Sequence, residues 1–215
     1  MTAPYPTPIL RFIHVDNLHI YLWRGGLHAP NFTPNDGLSY RTIHNAEIQQ
    51  KRQIKQIPYR FGGVVHDYVP FYFGYLSPMM LNLKTGRVPG YNEGQELLIY
   101  LVTTCQAVQD NGTGFVFTDG HCLATLTDWF DDLTDLDRVD WNVVYERYWR
   151  DNLNDMDRQR RKQAEFLIHR FCAWELIKEI VVVNTAMKAK VEQIMATFPT
   201  DQRRVVRIRP DWYYY

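Results

Sequence analysis

A lone carboxylate separates a run of cations from a run of apolar side chains in Asp157-Arg158-Gln159-Arg160-Arg161-Lys162-Gln163-Ala164-Glu165-Phe166-Leu167-Ile168. No other stretch constrains the fold as much. Phe166, Leu167 and Ile168 have no polar residue among them, so they open a buried strand. A Glu at the mouth of such a strand is held by a rigid element while it faces a cleft, which is where a catalytic group belongs. The alternative is a surface Glu165 paired with its own cationic neighbours, an arrangement that contributes little.

The chain of 215 residues is long enough for one medium domain with a substantial core, and no linker, internal repeat or low-complexity segment divides it. Residues 1–215 are therefore read as a single domain. Aromatics reach 14%, with 14 Tyr and 6 Trp; such rings line grooves for flat ligands or else fill the core. Lys and Arg balance Asp and Glu to a net charge of zero, so nucleic-acid binding would require a local patch. Cys105, Cys122 and Cys172 are odd in number and widely spaced, which argues against a disulfide framework and for a reducing compartment. With no charged-then-apolar leader and no apolar run of roughly 18 residues, the expectation is a cytoplasmic protein with no membrane partner. The seven His lack metal-ligand spacing, so no metal is expected. Phosphate-loop, dinucleotide and nucleophile-elbow motifs are also missing. An enzyme built from this chain would rely on a lone Glu, with acid–base chemistry or a bound cofactor.

Along the chain, residues 9–15 read as a strand. A helix follows over 17–24, capped by Asp16 and stopped by Gly25-Gly26. His14, at the strand's end, is placed to face a cleft, although a lone strand-end His is more often structural. Residues 28–46 are loop-like and form a candidate ligand flap. A helical turn over 47–52 ends in Arg52, suited to a phosphate or a carboxylate, or else a solvated helix end. Residues 67–75 carry five aromatics in eight positions around Pro70, predicting a strand or edge segment with more ring than a core requires. Strands are also predicted over 96–102, 114–121, 176–183 and 204–209, with a helix over 185–197. His121 and Cys122 point to opposite faces of an extended chain and make a poor dyad. In Tyr148-Trp149-Arg150 and the cations of 158–162, flat rings lie beside positive charge, as single-stranded nucleic acid prefers. A partly solvated helix would look the same.

The blocks Arg11-Phe12-Ile13-His14-Val15-Asp16-Asn17-Leu18, Asp67-Tyr68-Val69-Pro70-Phe71-Tyr72-Phe73 with Ser77-Pro78-Met79, Phe117-Thr118-Asp119-Gly120-His121, and Gln163-Ala164-Glu165 follow one another across almost the full chain. Together with Trp212-Tyr213-Tyr214 at the end, they resemble the DarT family, the DNA ADP-ribosyltransferase toxins of bacterial toxin–antitoxin pairs. The resemblance implies an α+β fold, an ADP-ribosyltransferase-like split β-sheet core with flanking helices. It also implies transfer of ADP-ribose from NAD to a base in single-stranded DNA. The Tyr-Val-Pro-Phe-Tyr-Phe block is similar to the thymidine-modifying branch, which attaches the sugar at ring nitrogen N3. By the same resemblance Glu165 is the catalytic glutamate and Arg52 a second catalytic residue. Ile13, His14, Val15, Asn17, Arg52 and Tyr72 meet NAD, under a covering element at about 39–50. A substrate-recognising loop spans about 120–165, and Met79, Arg87, His121, Trp149, Arg158 and Arg160 contact DNA. The implied partners are single-stranded DNA and a macrodomain antitoxin that removes the ADP-ribose; the enzyme itself is expected to be a monomer. His44-Asn45 stands where family members can carry Gly-Asn. Other acceptors (guanine in DNA, RNA or a protein side chain) and a non-catalytic single-stranded nucleic-acid binding module are the competing readings.

Overall fold

Apolar alternation turns most of the predicted runs into strands of one sheet, and the computed structural model describes residues 1–59 and 61–215. In chain order the elements are β1 (Pro8–His14), α1 (Leu18–Trp23), β2 (Gly26–His28), α2 (Ala46–Ile54), β3 (Tyr68–Tyr72), α3 (Pro78–Lys84), β4 (Leu98–Thr104), α4 (Cys105–Asp110), β5 (Phe115–Thr118), β6 (Trp129–Phe130), α5 (Trp141–Tyr145), α6 (Arg158–Arg161), β7 (Glu165–His169), β8 (Phe171–Ala173), β9 (Glu179–Val182), α7 (Thr185–Ala196) and β10 (Val205–Ile208). Eight strands form a sheet in the order β10-β9-β4-β1-β3-β7-β5-β6, and β2 and β8 make a separate ribbon. Among the described residues only β9 and β10 run parallel, and α7 supplies the crossover that a parallel pair needs.

The two faces of the sheet differ. Ile9, Ile13, Val69, Phe71, Ile99, Leu101, Phe166, Ile168 and Ile180 point into the main core, which α1, α4, α5 and α7 close. On the opposite face the apolar residues divide into two smaller clusters. One, over β9-β4-β1, holds Leu10, Phe12, Leu98, Tyr100, Met80, Leu83 and Tyr213. The other, over β3-β7-β5, holds Tyr68, Val116, Leu167, Ile57, Val65 and Cys122. Between them the sheet itself comes apart, because β1 and β3 are joined in register only at Leu10 and Tyr72.

Pro70 explains the parting. Its carbonyl accepts from the Arg11 guanidinium at 2.8 Å rather than from a strand. A strand residue's N and C=O point the same way, so the proline nitrogen, which cannot donate, also faces the gap. The aromatic block is thus an interior strand and not an edge. Its rings serve packing: Tyr68, Phe71 and Phe73 are fully buried, which corrects the expectation of surplus aromatic surface.

Other local expectations shift by a few residues. Asp16 does not cap α1; a 3-10 turn over Val15–Asn17 comes first, and the Asp16 carboxylate takes Arg41 and Lys190 at 3.0 and 3.1 Å. The helical turn ending at Arg52 extends to Ile54, with Asn45 as its cap, accepting from Glu47 N at 2.9 Å. His44 keeps a negative φ, so nothing in the backbone there demands glycine. The short strands β2, β6 and β8 carry too few residues to show periodicity in the sequence.

Candidate active site

The parted face positions three side chains in a row. Leu10, Tyr72 and Glu165 are opposed in register on adjacent strands, so they lie on one face of the sheet. Glu165 is the first residue of β7 and is 2% exposed. Its partners are not its cationic neighbours. Arg52, 113 residues away on α2, forks onto the carboxylate with Nη1 to Oε1 at 3.1 Å and Nη2 to Oε2 at 2.8 Å. The backbone N–H of Cys122 adds a third bond to Oε1 at 3.3 Å, and the Cys122 Sγ lies 3.2 Å from Arg52 Nη1.

Burying both charges is sustainable only because they are paired bidentately. Burial pushes the Glu165 pKa up, but the charge and hydrogen bonds of Arg52 outweigh it and hold the carboxyl below its ordinary value. Arg52 loses hydration on burial, yet Glu165 raises its pKa, so the guanidinium keeps its proton. Tyr72 is raised by burial and then by the Glu165 charge. Apart from Arg52, no residue of α2 is buried, so the helix has no apolar face to dock. It is held instead by the Asn45 cap, by the Arg52 fork and by a 3.1 Å bond between Gln49 and His66.

His14 lies at the far end of β1 on the same face, four residues beyond Leu10, or about 13 Å along the strand. It is fully buried, accepts from Asp16 N at 3.2 Å and lies 3.2 Å from Glu93 Oε2; burial lowers its pKa. Ile13 and Val15 point into the main core, and the Val15 main chain is also committed, its N–H donating to Leu97 O at 2.9 Å and its carbonyl accepting from Leu18 N. Asn17 clamps the 39–50 segment: its amide donates to Arg41 O at 2.9 Å and its carbonyl accepts from Arg41 N at 2.7 Å. Tyr40 stacks on Tyr21 at 4.8 Å, and Ile43 packs into the smaller cluster over β1.

The sequence-derived DNA contacts divide. Met79 lies 3.8 Å from the Tyr72 hydroxyl, Arg87 is exposed on the turn after α3, and His121 feels the charges of both Glu165 and Arg52. Trp149 is only 6% exposed, and its indole N–H donates to the Tyr214 hydroxyl at 2.7 Å, so its ring has no open face for a base. The cations of 158–162 are likewise engaged. Arg158 pairs with Glu146, Arg160 with Asp157 and Asp119, and Arg161 with Asp140 and Asp155. Lys162 is buried and donates to Val144 O and Glu146 O at 2.7 and 2.8 Å. What this braced loop presents to solvent is Tyr148 at 80% and Leu153 at 97% exposure, with Met156 and Arg150 beside them. Two exposed apolar residues between aspartates were the signal that sequence reading passed over.

No helix among the described residues is long and apolar enough to cross a membrane, and the three cysteines are buried free thiols. The family model described as "ssDNA thymidine ADP-ribosyltransferase, DarT" matches residues 10–214. A DNA ADP-ribosyl transferase of Thermus sp. (strain 2.9) is 40% identical over 99% of both chains. The Thermus sp. 2.9 DarT structure in complex with ADP-ribosylated single-stranded DNA superposes with a TM-score of 0.93, at 40% identity, covering 100% of this chain and 99% of that one. The same Thermus protein in complex with NAD+ gives 0.87 at 38% identity, over 99% and 100%. The α+β, ADP-ribosyltransferase-like fold follows from these matches.

Proposed function

The chain belongs to the DarT family of single-stranded DNA thymidine ADP-ribosyltransferases, and from that premise we propose that its Arg52–Glu165 pair carries ADP-ribose from NAD to N3 of thymine. The C1′–nicotinamide bond of NAD breaks and nicotinamide leaves with the electron pair. A bond forms between C1′ and thymine N3, and the N3 proton passes to water. Positive charge develops on the ribose as nicotinamide departs, and a carboxylate already aimed there stabilises it without reorganising. A carboxylate has about four acceptor directions. Oε1 receives Arg52 and Cys122, while Oε2 receives Arg52 alone, so Oε2 is the atom left to take the ribose 2′-hydroxyl.

Arg52 serves as the group that keeps Glu165 ionised and aimed. It stays protonated and so is not the free base, and its fork serves Glu165 first, with its remaining N–H groups left for the phosphate role read from the sequence. Its charge also favours the anionic form of a thymine that is losing its N3 proton nearby. His14 and Tyr72 meet NAD through side chains under the 39–50 element, which Asn17 clamps, while Ile13 and Val15 support that end of β1 from the core. Within the 120–165 loop, Tyr148, Leu153, Met156 and Arg150 take over the strand contacts first assigned to Trp149, Arg158 and Arg160. Met79, Arg87 and His121 keep theirs. A macrodomain hydrolase acting as antitoxin is the partner that such a toxin requires.

The observation that carries this reading is the buried bidentate pair at the mouth of β7, since a module that only grips phosphates has no use for a carboxylate held ionised in a cleft. The test is to incubate the protein with NAD and a thymine-containing single strand, following nicotinamide release and oligonucleotide mass together. Equal release and mass gain, with fragmentation placing the sugar on thymine, is the expected result. Release without mass gain would leave only NAD hydrolysis.

A further inference from the structure

The β5–β7 ladder pairs Phe115, Val116 and Phe117 with Ile168, Leu167 and Phe166, and stops one step short of the catalytic carboxylate. The next main-chain bond is replaced by a side chain: Glu165 N donates to Thr118 Oγ1 at 3.1 Å. The same hydroxyl donates to Gly120 O at 2.7 Å, so its proton and a lone pair are both used. Thr118 is fully buried. Gly120 belongs to the turn leading to Cys122, whose N–H reaches Glu165 Oε1 and whose sulfur meets Arg52. That turn is pressed against Arg160, where a Cβ on Gly120 would come within 2.4 Å of Nη1.

From this arrangement we infer that Thr118 is a positioning residue for the transfer, one hydroxyl fixing both the main chain of Glu165 and the turn that aims its side chain. Thr118 touches no substrate; it acts through Glu165. If the ladder simply continued, the main chain of Glu165 would be held but the Asp119–Cys122 turn would not. The hydroxyl couples the two, so the Cys122 N–H, the Arg52 fork and the carboxylate share one frame. This inference rests on the proposed role of Glu165 and adds a residue to it.

Thr118→Val keeps the shape and removes only the hydroxyl, and Thr118→Ser keeps the hydroxyl and removes the methyl. Single-turnover transfer to a thymine single strand, KM for NAD and melting temperature are read for both. Because misplacement by an ångström can cost about 100-fold, Thr118→Val is expected to lower the transfer rate by about 30- to 100-fold, with KM for NAD within about threefold and Thr118→Ser near the wild type. The acid limb of the rate should also move to higher pH in Thr118→Val, as Glu165 loses part of its hydrogen bonding. A valine variant at wild-type rate overturns the inference, and so does a serine variant that falls as far as valine, because the retained hydroxyl would then not preserve the rate. If valine does not fold, Thr118→Ala and Thr118→Ser carry the same comparison. A wild type that transfers nothing would refute the proposed function instead.

Discussion

Arg52 and Glu165 show why a single substitution has to be chosen by what it leaves behind. Glu165→Ala removes the carboxylate and strands a buried guanidinium, and breaking a buried pair in this way costs about 3–5 kcal/mol. Glu165→Gln keeps the volume and some of the bonding, so it is the cleaner probe. It should lower transfer by at least about 100-fold, the usual loss when a charge-stabilising contact goes, while NAD affinity changes little. Single-turnover rates and NAD titration separate the two. Arg52→Lys should fall between wild type and Arg52→Ala, because an ammonium restores charge but cannot span both oxygens; full activity in the lysine variant would refute the bidentate role. The pH sign follows from the depressed Glu165 pKa. The pair's stability is fully present above the ordinary glutamate value of 4.5 and lost as pH falls through the lower folded value. Titration of Glu165 should therefore leave no acid limb in the wild-type rate above about pH 4.5.

At the scale of elements, the 39–50 segment depends on Asn17, which holds Arg41 at both its N–H and its carbonyl. Asn17→Ala should loosen the segment and raise KM for NAD by roughly 5- to 30-fold, about 1 kcal/mol for each lost bond, with a smaller effect on the chemical step. The loop between α5 and α6 depends on Lys162, whose burial depresses its pKa to about 7. An amine depressed on folding contributes stability that is present above its ordinary value of 10.5 and lost as pH falls toward 7. The melting temperature of the wild type relative to Lys162→Met should thus climb between those two values; a flat difference would mean that Lys162 is hydrated. These elements also show what sequence could and could not disclose. The strand behind Glu165 was readable because the change from polar to apolar is local. Its partner was not, because Arg52 lies 113 residues away and only the sheet order brings α2 over β7. Trp149 beside Arg150 resembled a stacking platform because the Tyr214 hydroxyl that holds its indole comes from the far end of the chain. The arginines of 158–161 looked free although all their partners but Asp119 (Asp140, Glu146, Asp155 and Asp157) stood in the acidic stretch just before them.

For the whole molecule the deciding fact is charge already spent. Net charge is zero, and the densest cationic run is committed to internal pairs, so little positive field is left for a phosphate backbone. Duplex DNA offers mainly phosphates on its outside, and thymine N3 is hydrogen-bonded to adenine within it. Reaching that atom would require flipping the base at a cost of a few kcal/mol, without a strong backbone grip to offset it. A single strand presents N3 directly, and the exposed Tyr148 and Leu153 offer apolar surface to its bases. The expected outcome is modification of a thymine-containing single strand and at least about 100-fold slower modification of the same strand annealed to its complement. Affinity for the single strand should fall gently with salt, with a log–log slope of about −2 or shallower, reflecting two or three phosphate contacts. Mass spectrometry of matched single and annealed strands, and binding across a salt series, measure both. Equal labelling of duplex would mean that the protein flips bases and that its wedge lies elsewhere, while a slope of about −5 or steeper would show that the paired arginines open to meet phosphate.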